Sequence, residues 1–243
     1  MLLLLFPHQL FEQVFELKPK MVILLEEPLF FKDPDRVDSF ATVKLVYTRA
    51  TMSGYMDELR QHRINVERLE YSDILAKGLS GVLKGYDLSD VQAYEVADNL
   101  LTKRVEAAVP NIKWIPTPNF LLPTQEYPRY LETVGAGNPY FQTTFYKYMR
   151  ESRGILMSKK RAYEGGKLTF DSENRQRMPD DVVVPKAFCK SSDESDSALI
   201  EDADKYVKRV FGDDGHDYKL LFPVTRRAAY DHLEKFISER FNN

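Results

Sequence analysis

The chain has 243 residues, 43% of them hydrophobic, and a formal net charge of −3 at pH 7. This composition predicts one substantial folded domain with appendages, and the negative charge argues against a chain built mainly to clamp nucleic acid. Cys189 is the single cysteine, so an internal disulfide framework is excluded. The apolar run at residues 2–6 is too short to span a membrane and lacks the basic start of a signal peptide, which predicts a cytoplasmic protein.

Short apolar runs alternate with longer amphipathic segments over the first 115 residues. The runs predict five strands, at residues 2–6, 21–26, 65–71, 91–96 and 112–115. The segments between them predict three helices, at residues 43–62, 74–83 and 99–108. Strands separated by such helices form right-handed βαβ units. We therefore expect an α/β fold with a doubly wound, parallel, five-stranded sheet of Rossmann type and strand order 3-2-1-4-5, followed by a linker and short helical segments.

Two helices and a polar stretch follow the predicted sheet. The helices are expected at residues 125–133 and 139–153, and the second has one apolar face. Residues 159–198 are rich in charge, Ser and Pro. This composition predicts an exposed linker that is mobile in part.

The end of the chain predicts two more helices, at residues 199–211 and 225–241. In the second of these an apolar stripe recurs at helical spacing, formed by Tyr230, Leu233, Ile237 and Phe241. An apolar stripe of this kind needs a surface to cover it.

Several sequence stretches follow one another along the chain in an order that the packing of a core would not require. FYKYMRESRGILM at residues 145–157 leads to GGKLTFDSENRQRMP at 165–179. LLLLFPHQLF stands at 2–11, KLVYTRATMSGYMDELR at 44–60, and FPVTRRAAYDHLEKFI at 222–237. In these stretches the chain resembles the N-terminal half of the deoxyribodipyrimidine photolyase-related proteins, a bacterial group of the photolyase/cryptochrome family.

The resemblance implies an antenna-type α/β domain at residues 1–157, a linker at 158–198, and the start of a helical domain at 199–243. Full-length relatives hold FAD and an iron–sulfur cluster in that helical half, so this chain alone is not expected to hold either group. Its single cysteine also cannot build a four-thiolate cluster. The implied function is that of the N-terminal domain of a flavoprotein for light-driven DNA repair or light sensing, inactive in repair by itself. Its implied partner is a flavin-binding helical half, in the same or a separate chain, with DNA contacted only through the complete protein and no membrane involved.

A candidate ligand site follows from the predicted strand order. In open α/β sheets ligands bind beyond the carboxyl ends of the strands, where the strand order reverses. The loop after the first strand brings His8, Gln9 and Leu10 to this edge, and the loop after the second brings Glu26 and Glu27. Relatives bind an antenna chromophore here, in several cases a ribityllumazine, which implies that Gln9 and Glu26 hydrogen-bond its polyol and pyrimidine edge.

Other residues complete the implied chromophore site. Phe6, Leu25 and Met52 are candidates to line a dry slot, and Lys44 could neutralise a ligand. Many relatives have Gly-Asp before Gln-Leu, whereas this chain has Pro7 and His8, so the identity of the antenna stays open. Solvated or helix-capping roles remain the alternatives for His8 and the two glutamates.

Two other functions stay open. The chain could be a stand-alone module that binds a nucleotide or flavin-like ligand, or an assembly subunit whose C-terminal stripe docks a separate helical flavin-binding partner.

The strongest basic patch comprises Lys147, Arg150, Arg153 and residues 159–161. The alternative explanation of this patch is that cations are favourable at a helix C-terminus. No catalytic residue is predicted. No metal site is predicted either, because the four histidines lack zinc-ligand spacing.

Overall fold

Five parallel strands form one sheet with the order β3-β2-β1-β4-β5, which confirms the predicted fold class. The strands are β1 (Leu2–Leu5), β2 (Met21–Leu25), β3 (Asn65–Leu69), β4 (Val91–Tyr94) and β5 (Lys113–Ile115). This computed structural model describes the whole chain except residues 38–39, 136, 138–139, 174, 176, 178–179, 184–193, 214, 216–219, 221 and 241–243, and the side chains of residues 194 and 195.

Helices cover both faces of the sheet because the side chains of the central strand alternate between two cores. Leu3 and Leu5 face one core, which contains α2 (Thr42–Gln61) and α7 (Glu194–Phe211). Leu2 and Leu4 face the other, which contains α3 (Tyr71–Val82) and α4 (Asn99–Ala108). Every residue of β1 is buried, as expected for the middle strand of a doubly wound sheet.

Differences from the predicted elements are local. A short helix, α1 (Gln13–Leu17), was not predicted, since five residues carry too little periodicity to be recognised. Tyr71 begins α3 instead of ending β3. Helix α7 begins at Glu194, inside the predicted linker, and the last helix is α8 (Arg226–Arg240).

The described residues fall into two compact units. One is formed from Met1–Ile115 and Ala187–Asn243, the other from Pro116–Lys186. Helix α7 packs on α2 and so belongs to the sheet unit. Within the described part of the chain, no helix combines the length and apolar character needed to cross a membrane.

The second unit is built around an aromatic cluster. It contains α5 (Tyr127–Val134) and α6 (Gln142–Arg153). The buried Tyr130 ring meets Phe145 at 5.3 Å and Tyr148 at 5.0 Å between centroids, both edge to face. Such edge-to-face pairs add to the stabilisation from area burial.

Candidate functional site at the carboxyl edge of the sheet

Glu26, the first residue after β2, is completely buried and fully paired. Its Oε1 accepts a hydrogen bond from Arg49 of α2 and lies 3.5 Å from Nε of Arg68 on β3. Its Oε2 accepts from the backbone N–H of Tyr71 at 3.0 Å and from the Tyr206 hydroxyl at 3.1 Å. Burial raises the pKa of Glu26, and the neighbouring Arg49 opposes that rise. Both oxygens of the carboxylate are thus engaged by protein groups.

Gln9, in the loop after β1, is also buried and internally bonded. Its Nε2 donates to the carbonyl oxygens of Tyr94 at 3.0 Å and Glu95 at 3.2 Å, and its Oε1 accepts from the Phe6 N–H at 3.4 Å. The side chain therefore joins the ends of β1 and β4, where the strand order reverses. The geometry gives Gln9 a structural role at this crevice.

His8 differs from these two residues because one of its polar atoms has no partner. Its ring stacks on Phe30, with centroids 4.9 Å apart and an interplanar angle of 18°. Nδ1 is buried without a hydrogen-bond partner among the described residues. Burial lowers the pKa of His8 to about 4, so the ring is neutral near pH 7.

The sheet separates the other residues of the predicted slot. Met52 is buried in the core beneath α2, and Leu10 packs against the same core. Phe6 and Leu25 belong to the core on the opposite face. These side chains therefore do not line a common slot, and Lys44 is exposed on α2.

Glu27 takes part in a charge cluster that sequence reasoning missed. Arg104 of α4 donates to Glu27 Oε1 at 2.8 Å, to both oxygens of Asp33, and to Asp35 Oδ2 at 2.7 Å. The Arg104 hydrogen bonds hold the pKa of Asp33 below its usual range, whereas burial raises the pKa of Glu27. The turn residues Asp33-Pro34-Asp35 were a usable signal for carboxylates at this edge, but nothing in the sequence paired them with α4.

A groove of about 320 Å³ opens beside this cluster, between α3 and α4. We call it the Arg104 groove. Its polar end is formed by Glu27, Asp33 and Arg104, and its apolar walls by Ile74, Leu75, Leu79, Ala107 and Ala108. Two carboxylates and one guanidinium group line this end, so the polar end carries excess negative charge. It therefore favours ligands that donate hydrogen bonds over ligands that carry phosphate.

The predicted basic patch is partly internal to the second unit. Arg150 is buried and donates to the carbonyl oxygens of Ile155 at 3.2 Å, Leu156 at 2.5 Å and Leu168 at 2.6 Å. Arg153 pairs with the Glu126 carboxylate at 2.7 Å. The other exposed cations of the patch are Lys147, Lys159, Lys160 and Arg161.

Comparison with known proteins decides the family. The family model for deoxyribodipyrimidine photo-lyase-related protein matches residues 3–218. This chain belongs to that family. The photolyase-related chain is 29% identical over 188 residues to an uncharacterised protein of Acanthamoeba polyphaga mimivirus, a match that covers 74% of this chain and 95% of that protein. The resemblance predicted from the sequence is confirmed.

A (6-4) photolyase of Agrobacterium fabrum matches a shorter stretch. The identity is 34% over 96 residues, which is 39% of this chain and 18% of the photolyase. Because the chain spans less than a fifth of that enzyme in the match, this similarity supports family membership and carries no activity with it.

Membership of the photolyase-related family implies two bound groups, an antenna chromophore and an iron–sulfur cluster. The residues of this chain suit the first better than the second. The Arg104 groove offers carboxylates for hydroxyl or N–H donors and an apolar wall for a ring, as an uncharged ribityl chromophore needs. Glu27 and Asp33 also accept hydrogen bonds from protein groups, namely from Arg104 and from the backbone N–H of Leu29 or Asp35, but each keeps acceptor sites for a ligand. Gln9 and Glu26 offer no comparable capacity, because four protein groups surround the Glu26 carboxylate and the Gln9 amide bonds to both strand ends. A four-thiolate iron–sulfur cluster does not fit, because Cys189 is the single cysteine of the sequence and lies outside the described residues.

Proposed function

We propose that this photolyase-related chain is a chromophore-binding module, and that its Arg104 groove holds an uncharged, ribityl-bearing ring such as a ribityllumazine. The observation that carries the proposal is the pairing of apolar walls with an acidic polar end in one cavity. In this proposal the site is shifted from the predicted one. Glu27 is retained, Gln9 and Glu26 stabilise the fold, and Arg104 and Asp33 are added.

The size and charge of the groove favour this ligand class. Small-molecule sites occupy roughly 300–1,000 Å³ and are mostly apolar with a few polar groups, and the groove of about 320 Å³ lies at the lower end of this range. Hydroxyl groups of a ribityl chain can donate to the remaining lone pairs of Glu27 and Asp33. A phosphorylated flavin would bring a dianion to the same carboxylates, so FMN and FAD are disfavoured in this groove.

Within the proposed function, the residues of this chain bind and orient the chromophore and exclude water from it. The bound group supplies light absorption. Light-driven repair of pyrimidine photoproducts would then require reduced FAD held by a helical half in the same or a separate chain. The module alone is therefore expected to bind a chromophore without repairing DNA.

The experiment is a titration of the purified protein with a ribityllumazine and with FMN, followed by absorption and fluorescence. We expect saturable binding of the lumazine and weak or no binding of FMN. Leu75→Arg should abolish binding, because the new guanidinium would fill the groove and pair with its carboxylates. Leu121→Arg places the same group on an exposed side chain of the second unit and should leave binding unchanged. No saturable binding, or binding that Leu75→Arg leaves intact, contradicts the proposal.

Direct contact with nucleic acid through the second unit is a second candidate function. Tyr140 is 84% exposed and Phe141 63% exposed at the start of α6. Residues 140–167 contain seven Lys or Arg against two Glu, although the whole chain is negative. Exposed aromatic rings beside cations are the features with which proteins stack bases and neutralise phosphates.

This candidate is tested by the anisotropy of a labelled single-stranded oligonucleotide at several salt concentrations. Binding should weaken with salt, and joint replacement of Tyr140 and Phe141 by Ala should weaken it by about 2 kcal/mol or more. Tyr230→Ala removes an exposed ring from the sheet unit and should have no effect. Equal loss in both variants would point to nonspecific adsorption.

A further inference from the structure

A second cavity lies on the opposite face of the sheet from the Arg104 groove, among α2, β3 and α7. It has a volume of about 280 Å³. Its lining includes four cations and two hydroxyl groups, contributed by Arg49, Arg68, Lys205, Arg209, Ser53 and Tyr206. Asp202 also borders it. We call this space the α2–α7 cavity.

Arg68 is the most deeply placed cation whose charge is incompletely balanced. Its side chain is 19% exposed, and one Nη donates to the Ser53 hydroxyl at 2.8 Å. The carboxylate within 4 Å of it among the described residues is that of Glu26, which also binds Arg49. One buried carboxylate thus serves two guanidinium groups. Burial, followed by the adjacent Arg49, lowers the pKa of Arg68, and the carboxylates of Glu26 and Glu70 oppose that shift.

Two further cations stand one helical turn apart on α7. Arg209 forms no ion pair with a carboxylate in the described part of the chain, and its guanidinium lies 5.4 Å from the centroid of the Tyr206 ring. Lys205 pairs at 2.7 Å with Glu201, and both side chains are exposed. An exposed pair of this kind is worth little, so the ammonium group can turn toward an anion in the cavity.

The charges of Arg49 are better balanced than those of its neighbours. It binds Glu26 and also Glu70, whose carboxylate lies 3.0 Å from its Nη2. Its guanidinium carbon lies 3.2 Å from the centroid of the Tyr206 ring, which fixes it at the inner wall. The donors left for a ligand are therefore those of Arg68, Arg209, Lys205 and the Ser53 hydroxyl.

We propose that the α2–α7 cavity binds the phosphate monoester group of a small metabolite. Guanidinium groups present paired donors that match phosphate oxygens, and lysine and serine add single donors. Arg68, Arg209 and Lys205 bring positive charge to one cavity, which a dianion would complement. The volume of about 280 Å³ admits a phosphate with a small organic group. A bound phosphate would bridge β3 to α7 and hold that helix on the sheet.

Isothermal titration calorimetry with inorganic phosphate, at constant ionic strength, tests this site. We expect saturable binding, and Arg209→Gln should weaken it at least about tenfold, the loss expected for one charge-assisted hydrogen bond. Lys208→Gln is the matched control, because it removes the same charge from the preceding position, where the lysine pairs with Asp204. It should change the affinity less than about twofold. Absence of saturable binding, or equal losses in both variants, overturns the proposal.

A second variant and a second ligand remove the remaining alternatives. Arg68→Lys keeps the charge and loses the paired donors, so it should weaken phosphate binding while its thermal unfolding stays cooperative. A single-stranded oligonucleotide without terminal phosphates should not displace inorganic phosphate. Displacement would assign the cavity to nucleic-acid phosphodiesters and overturn the monoester assignment. Arg209→Gln should leave lumazine binding in the Arg104 groove unaffected. Failure of the phosphate proposal can therefore be distinguished from failure of the chromophore proposal.

Discussion

The Tyr206 hydroxyl donates to Oε2 of Glu26 at 3.1 Å and joins two residues that lie 180 positions apart. The ring of the same tyrosine covers the Arg49 guanidinium at 3.2 Å. One side chain of α7 therefore completes the pairing of a buried carboxylate and shields its cationic partner from water. The attachment of α7 to the sheet rests on polar contacts as well as on apolar packing.

Removing the Tyr206 hydroxyl should lower the free energy of unfolding. Tyr206→Phe retains the ring over Arg49 and deletes one hydrogen bond to a buried carboxylate, at an expected loss of about 1–2 kcal/mol. Tyr230→Phe deletes an exposed hydrogen bond to Glu12 and should cost less than about 0.5 kcal/mol. Chemical denaturation of the two variants makes the comparison. Equal losses would show that burial of the Glu26 cluster does not set the strength of this contact.

The carboxylates around Arg104 should contribute unequally to stability. Asp33 is 2% exposed and Asp35 66% exposed, although both bind the same guanidinium. Asp33→Asn should cost about 2 kcal/mol, because a buried charge-assisted pair is lost. Asp35→Asn should cost less than about 1 kcal/mol, because solvent screens the exposed pair. The measurement is again denaturant unfolding, and the reverse order would contradict the assigned burial.

The neutral state of His8 should make stability depend on pH. The pKa of His8 is lowered from 6.5 to about 4 by burial, so between these values the unfolded chain binds a proton that the folded chain does not. Stability is therefore lost as the pH falls through this window, and the loss levels off below the folded value. His8→Phe keeps a ring against Phe30 and cannot titrate. Between about pH 7 and about pH 5 the wild type should lose more stability than the variant, and equal losses would refute the assignment.

Arg150 should control the order of the loop that follows α6. Arg150→Lys retains the charge but cannot reach three carbonyl oxygens with a planar fork. We expect trypsin to cleave at Lys159, Lys160 or Arg161 several-fold faster in this variant, because the loop opens more often. Lys147→Arg changes an exposed cation of the same helix and should cleave at the wild-type rate. Mass spectrometry of the early fragments identifies the cleavage sites. An unchanged cleavage rate in Arg150→Lys would show that Arg150 does not hold the loop in place.

The sheet could be predicted because its information is local, whereas the site depends on pairings across the chain. Runs such as residues 21–25 are apolar throughout, and the helices between the runs limit the topology to a parallel, doubly wound sheet. Glu27 was identified as a candidate because it follows a strand. Its partner Arg104 lies 77 positions away and has no distinguishing motif, so one sequence could not join them. Gln9 was predicted as a ligand donor, but the geometry that engages its amide is visible only in three dimensions.

The position of α7 in the chain, after all five strands of the sheet, has a consequence for the order of folding. Ala203, Tyr206 and Val207 fill the core that also contains Val46 and Met52 of α2. During synthesis all five strands leave the ribosome before this helix does, with the whole second unit between them. Until then the apolar outer side of α2 lacks its cover, and such transiently exposed surface is where nascent chains aggregate or recruit chaperones. Closure of this core therefore awaits a helix that is translated after all five strands and after the whole second unit.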